Sequence, residues 1–244
     1  MERTTVDVET RDGVADAYLA RPEGEHPAVL FMIDGLGLRP RIEEMADRIA
    51  AQGYVVLAPN AFYRAGRAPV VPLMDFTDPE SRARFMEVVR PLMDELTPDR
   101  IASDGAAYLD YLARLSDGFV AITGYCLGGR MGFRVAAAEP DRVAALASFH
   151  GGGLVTDAPD SPHLAAGQIE AELYFGHADD DPSMTAEQIS TLDEALDAAG
   201  VTYRSEVYSG AKHGYTMSDT AVYDEAACER HYTELFALLE RAVG

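Results

Sequence analysis

Polar and apolar residues alternate over Thr4–Glu9 and again over Val14–Ala20, with the turn Arg11-Asp12-Gly13 between them. A period of two on either side of a glycine turn predicts an antiparallel hairpin with one half-buried face. The pattern then changes. Ala28–Ile33 and Tyr54–Ala58 are short continuous apolar runs, as expected of strands covered on both faces. Between them, Arg41–Gln52 carries its apolar residues at helical spacing and stops at Gly53. The same alternation continues to the end of the chain. Strands are expected at Phe119–Thr123, Val143–Phe149, Ala171–Phe175 and Tyr203–Tyr208. Helices are expected at Ser81–Glu95, from Thr97 to about Leu115, at Leu127–Ala138, at Thr185–Ala199 and at Thr220–Ala242. Pro91 should kink or shorten the first of these, and Thr97-Pro98 starts the second as N-cap plus first-turn proline. Ala61–Pro79, which contains Pro69, Pro72 and Pro79, reads as a long irregular connection of the kind that often carries function.

Strands alternating with helices predict an α/β layer structure, with a mainly parallel sheet and the hairpin at one edge. No repeat or low-complexity linker divides residues 1–244, so one domain is expected. In such sheets ligand chemistry gathers at the carboxyl ends of the strands.

Composition narrows the function classes. With 48% hydrophobic and 25% charged residues in 244, the chain can bury a full core without disulfides or metals. No apolar run approaches the roughly 20 residues of a membrane span. Acidic residues number 41 against 20 basic, a formal charge of −21 that repels phosphate backbones and anionic lipid. Nucleic-acid and membrane partners are therefore not expected. Two cysteines, Cys126 and Cys228, make no disulfide framework. The opening MERTTVDVETRDG has no apolar core, so a cytoplasmic location is expected.

Candidate chemistry follows three of the predicted strands. After Phe119–Thr123 comes Gly124-Tyr125-Cys126-Leu127-Gly128-Gly129, a nucleophile-elbow pattern with cysteine at the apex. Glycine two residues either side of the apex lets a strained turn sit close to the neighbouring strand and helix. The apex then lies at a helix N-terminus, where the dipole favours a thiolate and the Leu127 amide can meet an oxyanion. After Ala171–Phe175 comes Gly176-His177-Ala178-Asp179-Asp180-Asp181, where the acid that orients a histidine is expected. G-x-x-D spacing points to Asp179, with Asp180 and Asp181 read as turn acids. After Tyr203–Tyr208 comes Lys212-His213-Gly214-Tyr215, whose histidine completes the chain order Cys, Asp, His.

With GYCLGG at Gly124–Gly129, G-x-x-D at Gly176–Asp179, KHGY at Lys212–Tyr215 and GYVVLAP at Gly53–Pro59, the chain resembles the dienelactone hydrolases of the α/β-hydrolase superfamily over nearly its whole length. The resemblance implies an α/β-hydrolase fold with helices on both faces of the sheet. It also implies a cysteine nucleophile with an Asp–His pair, hydrolysis of a small-molecule ester or lactone, and no metal or organic cofactor. Two positions depart from the family pattern. Its activating glutamate corresponds to Met32, with Asp34 nearby, and its carboxylate-binding arginine, four residues past the histidine, corresponds to Met217. A pocket poorer in positive charge, favouring neutral substrates, is the expectation that follows.

Arg82 or Arg84, and also Arg39 or Arg41, are other candidate cations. Ile33 lies in the loop that would donate the second oxyanion amide. Phe62, Tyr63, His150 and Tyr215 are candidate pocket walls. A hydrolase-fold binding protein without turnover is the alternative reading, favoured by Met32. A redox thiol is weakly supported, because no C-x-x-C exists. The oligomeric state is left open.

Overall fold

The computed structural model describes residues 1–72 and 79–244, with side chains from residue 83 onward in the second stretch. Part of the expected Ala61–Pro79 connection, and the side chain of Arg82, therefore lie outside the described residues. The hairpin forms as predicted: β1 (Glu2–Thr10) pairs antiparallel with β2 (Gly13–Arg21). β3 (Ala28–Met32), β4 (Val55–Pro59) and β5 (Val120–Tyr125) are buried at every position, as their unbroken apolar character requires. β6 (Val143–Phe149), β7 (Glu172–Ala178) and β8 (Tyr203–Tyr208) complete the sheet. Its order among the described residues is β1-β2-β4-β3-β5-β6-β7-β8. β2 meets β4 antiparallel and every pairing from β4 to β8 is parallel.

The helices are α1 (Pro40–Ala50), α2 (Pro79–Asp94), α3 (Pro98–Leu112), α4 (Leu127–Ala138), α5 (Ala186–Ala199) and α6 (Glu225–Ala242). α3 lies on α4 so closely that a Cβ on Gly105 would stand 2.4 Å from Val135 Cγ2. On the other face α1 is joined to α6, where Arg48 pairs with Glu229 at 2.6 Å and covers the Tyr232 ring. Thr97 and Thr185 cap α3 and α5, and Gly200 closes α5 at φ 71°. Two boundaries differ from the sequence pattern. α2 continues through Pro91 to Asp94. α6 begins at Glu225 rather than near Thr220, because Asp224 accepts the Ala227 amide as N-cap and leaves 215–224 to turns.

The register decides where the site lies. Met32 stands beside Gly124, Tyr125 beside Phe149, Phe149 beside Gly176, and Ala178 beside Tyr208. Five parallel strands thus end along one rim, and the segments that follow them meet there.

Candidate active site

Cys126 sits between β5 and α4 at φ 55°, ψ −117°, a conformation that costs a non-glycine residue on the order of 1–3 kcal/mol. The surrounding chain holds it in place. Its N–H donates to the Phe149 carbonyl at 3.2 Å, and its carbonyl accepts from Gly129 and Gly152 at 3.1 and 3.2 Å. The glycines are required by contact. A Cβ on Gly124 would lie 2.3 Å from the Gly128 carbonyl oxygen, and one on Gly128 would lie 2.2 Å from that of Met32. A Cβ on Gly129 would meet Ser148 Oγ at 2.3 Å. The half-buried thiol is therefore presented by a turn that only glycine-rich flanks permit. The Leu127 amide is the first of α4, where helical N–H groups have no intrahelical acceptor. The packing of Gly128 on Met32 and Ile33 brings the loop after β3 against this helix start.

His213 faces Cys126 across the rim, near enough for the sulfur to act electrostatically on the imidazole. Its Nδ1 pairs with Asp181 Oδ2 at 2.6 Å, so the expected acid, Asp179, is not the one that contacts the histidine. The correction has a local cause. β7 runs three residues beyond its predicted end, to Ala178, which places Asp179 at the strand terminus. There its N–H donates to the Ala211 carbonyl at 2.8 Å, and its Oδ2 accepts from Gly210 N–H at 2.7 Å. Asp180 then turns the chain through φ 50°, and Asp181 points back toward His213. Ser183, which sequence reasoning missed, donates its N–H and hydroxyl to Asp181 Oδ1 at 2.9 and 2.7 Å. The signal for it was an Asp followed two residues later by Ser, the spacing of an Asx-turn.

Electrostatics follow from these contacts. Burial works to lower the pKa of His213, but Cys126 and Asp181 outweigh it and hold the imidazole up at about 10. Burial works to raise that of Asp181, and the bonds from His213 and Ser183 bring it below the usual carboxylate value. His150, at φ 39° after β6, is buried against His213 with ring centroids 5.2 Å apart. Burial first, then the charge of His213, keep it neutral well below its ordinary pKa. Its Nε2 pairs with Thr216 Oγ1 at 2.8 Å. His150 thus packs beside His213.

The remaining candidate residues are held by contacts within the fold. Asp34 is buried in a bidentate pair with Arg39 at 2.7 and 3.0 Å, and Arg39 also holds Asp219 at 2.6 Å. Met217 is buried with its Sδ 3.4 Å from Arg39 Nη2. This cluster ties the loop after β3 to the loop that carries His213, and it consumes Arg39 as a cation. Arg41 is held by the Thr216 carbonyl at 2.7 Å. Met32 is buried beneath Gly128. Tyr215 is buried and donates to the Gly176 carbonyl at 3.0 Å. Tyr63 donates to Asp104 at 2.9 Å, anchoring its loop to α3. Phe62 is buried and packs beside Gly37, where a Cβ would lie 3.6 Å from Phe62 Cδ2. Phe85 and Val89 of α2 close over Gly35 and Leu127, while Arg84 is on the exposed side of that helix. Cys228 is buried, and burial pushes its thiol up.

Among the described residues no helix is long and apolar enough to cross a membrane. The sequence matches the model of the family described as "Dienelactone hydrolase family" over residues 15–243. A Synechocystis sp. protein assigned by name as a carboxymethylenebutenolidase is 29% identical over 238 residues, covering 94% of this chain and 93% of that protein. An Escherichia coli K12 protein with the same assignment is 28% identical over 226 residues, covering 87% and 77%. A solved structure from Klebsiella pneumoniae, assigned as a dienelactone hydrolase, superposes with a TM-score of 0.85 at 22% identity, with 98% of each chain covered. The fold is that of the α/β hydrolases, as the resemblance implied.

Proposed function

The chain belongs to the dienelactone hydrolase family, and on that premise we propose that it hydrolyses esters or lactones by acyl transfer through Cys126, with His213 and Asp181 as its partners. The observation that carries this reading is the strained cysteine at φ 55°, facing a histidine that a carboxylate grips at 2.6 Å. Backbone strain of this kind gathers at functional sites, and here it accompanies an imidazole, His213, whose pKa its surroundings raise to about 10.

The chemistry proceeds in two halves. The Cys126 sulfur attacks the carbonyl carbon, and the amides of Leu127 and Ile33 receive the negative oxygen. His213, protonated and steadied by Asp181, gives its proton to the departing alkoxide as the carbon–oxygen bond breaks. A thioester to Cys126 remains. A water then gives its proton to His213 and attacks that thioester, and the carboxylic acid leaves as the sulfur recovers its proton pair with His213. Asp181 transfers no proton; it fixes the ring and balances its charge. Small-molecule esters or lactones are the substrates, and the residues need no metal for any step.

The test is a screen of short-chain 4-nitrophenyl esters, neutral lactones and carboxymethylenebutenolide with wild type and Cys126→Ala. Turnover of at least one substrate, lost on Cys126→Ala, is the expected result. No turnover of any, with retained ligand binding, favours the alternative of a hydrolase-fold binding protein, to which Met32 in the glutamate position is the pointer. Equal rates for wild type and Cys126→Ala overturn the mechanism.

A further inference from the structure

Ser183 touches both partners of Cys126. It stands in the turn between β7 and α5, an exposed serine two residues past the buried Asp181. Its hydroxyl donates to Asp181 Oδ1 at 2.7 Å, and its N–H donates to the same oxygen at 2.9 Å. The hydroxyl oxygen also lies 3.1 Å from His213 Nδ1. A serine has a single hydroxyl proton. With that proton committed to the shorter contact, Oγ meets Nδ1 as an acceptor. The Nδ1 proton is therefore shared between Asp181 Oδ2, at 2.6 Å, and Ser183 Oγ.

The reach of this hydroxyl depends on a bare stretch of backbone. A Cβ on Gly152 would lie 2.9 Å from Ser183 Oγ and 3.6 Å from His213 Cε1. Gly152 N–H donates to the Cys126 carbonyl at 3.2 Å, and Gly153 N–H donates to the Ser183 carbonyl at 3.1 Å. The loop after β6 thus ties the turn of the nucleophile to the turn of Ser183.

The two halves of acyl transfer ask different things of the ring. Before attack, burial pulls the His213 imidazole down, but the Cys126 sulfur and Asp181 lift it to about 10, so it carries both ring protons. In the thioester the sulfur is covalently bound and bears no charge. His213 must then be neutral, so that Nε2 can take a proton from water. A neutral imidazole has two tautomers, and only the one protonated on Nδ1 leaves Nε2 free. A neutral N–H also bonds a carboxylate less strongly than an imidazolium N–H does. A second acceptor at Nδ1 therefore matters most at this stage.

We propose that Ser183 is a positioning residue for deacylation, holding neutral His213 in the tautomer that draws a proton from water. The proposal rests on Cys126 being the nucleophile. In that step the water oxygen bonds to the thioester carbonyl carbon while one water proton passes to His213 Nε2. The carbon–sulfur bond breaks with its electron pair left on sulfur, the carboxylic acid departs, and the sulfur faces an imidazolium again. Ser183 exchanges no atom. Its hydroxyl proton stays on Asp181 Oδ1, and its lone pair holds the Nδ1 proton in place.

The probe is 4-nitrophenyl butyrate, whose easy leaving group lets the acyl-enzyme build up, with wild type, Ser183→Ala and Ser183→Thr. In the first turnover, release of 4-nitrophenol reports acylation, and the decay of the acyl adduct, followed by intact mass, reports deacylation. In Ser183→Ala the decay should slow by about three- to tenfold, the worth of one neutral hydrogen bond. First-turnover release should stay within about twofold, and Ser183→Thr, which keeps the hydroxyl, should restore the decay to within about twofold of wild type. Equal slowing of both steps, as a merely structural serine would give, or an unchanged decay overturns the proposal. A second measurement needs no turnover. In enzyme alkylated at Cys126 with iodoacetamide the sulfur is likewise uncharged. The Nδ1 proton of His213 should then give a far-downfield NMR resonance that is sharp in wild type and broadened by exchange in Ser183→Ala, and an unchanged resonance overturns the proposal. If Cys126→Ala hydrolyses the ester as fast as wild type, the hydrolase reading fails, and the resonance still reads Ser183 on its own.

Discussion

Exchanging Asp181 for asparagine should damage turnover far more than the same exchange at Asp179. Asp181 receives His213 Nδ1 at 2.6 Å and two donors of Ser183 at 2.9 and 2.7 Å. Asparagine can still accept from Ser183 but offers His213 no charge. Loss of one charge-assisted hydrogen bond costs about 1.5–3 kcal/mol, and at about 1.4 kcal/mol per decade that is roughly 10- to 150-fold in rate. An amide N–H directed at Nδ1 would also favour the ring tautomer with its proton facing Cys126, which adds one to two further decades. A fall in kcat of about 10²- to 10⁴-fold is therefore expected. Asp179 accepts a single bond from Gly210 N–H, which an asparagine oxygen can keep. Asp179→Asn should stay within about threefold of wild type.

The pH dependence gives a second reading of the same pair. His213 is raised from 6.5 to about 10, so its contribution to stability is complete below 6.5 and is lost as pH rises through about 10. Asp181 is lowered from 3.8, so its contribution is present above that value and is lost as pH falls through its depressed pKa. The gap in melting temperature between wild type and Asp181→Asn should be widest between those limits, near pH 4 to 6.5, and should shrink toward pH 10. The assay is kcat on a 4-nitrophenyl ester from pH 5 to 10, beside thermal melts over a wider range. A hundredfold loss in Asp179→Asn with Asp181→Asn near wild type would refute the assignment, as would a melting gap that grows toward alkaline pH.

Three further outcomes can be checked. Iodoacetamide should label Cys126 and stop turnover while the buried Cys228 stays unmodified, as peptide mass mapping would show; labelling of Cys228 first would contradict its burial. Gly128→Ala would put a methyl 2.2 Å from the Met32 carbonyl oxygen and should destabilise by several kcal/mol in urea unfolding, whereas Gly167→Ala, with nothing within 4 Å, should be nearly silent. Arg39→Met leaves the buried carboxylate of Asp34 without its partner, so a loss of about 3–5 kcal/mol is expected. Pairing it with Asp34→Asn should recover part of that loss, and no recovery would show that the coupling lies elsewhere.

Most of the architecture was legible in the chain itself. Hydrophobic periodicity is a local property that reports which faces are covered, so the hairpin, the two-sided strands and the helices could be read from it. The elbow was legible for a steric reason: Gly124 and Gly128 are needed wherever a strained apex is pressed between strand and helix, and that need is written in consecutive residues. His213 followed from the same logic, as the histidine in the loop after the last strand. The acid did not. Three adjacent aspartates are chemically equal, and the choice among them depends on how far β7 pairs with β8, to Ala178 beside Tyr208, and on the left-handed turn at Asp180. Asp34 and Met217 looked free to meet a ligand because their partner, Arg39, reaches Asp219 across 180 positions of chain. Burial patterns are set by short-range order along the chain, whereas the identity of a side chain's partner is set by sheet register and loop geometry, which arise only when distant segments meet.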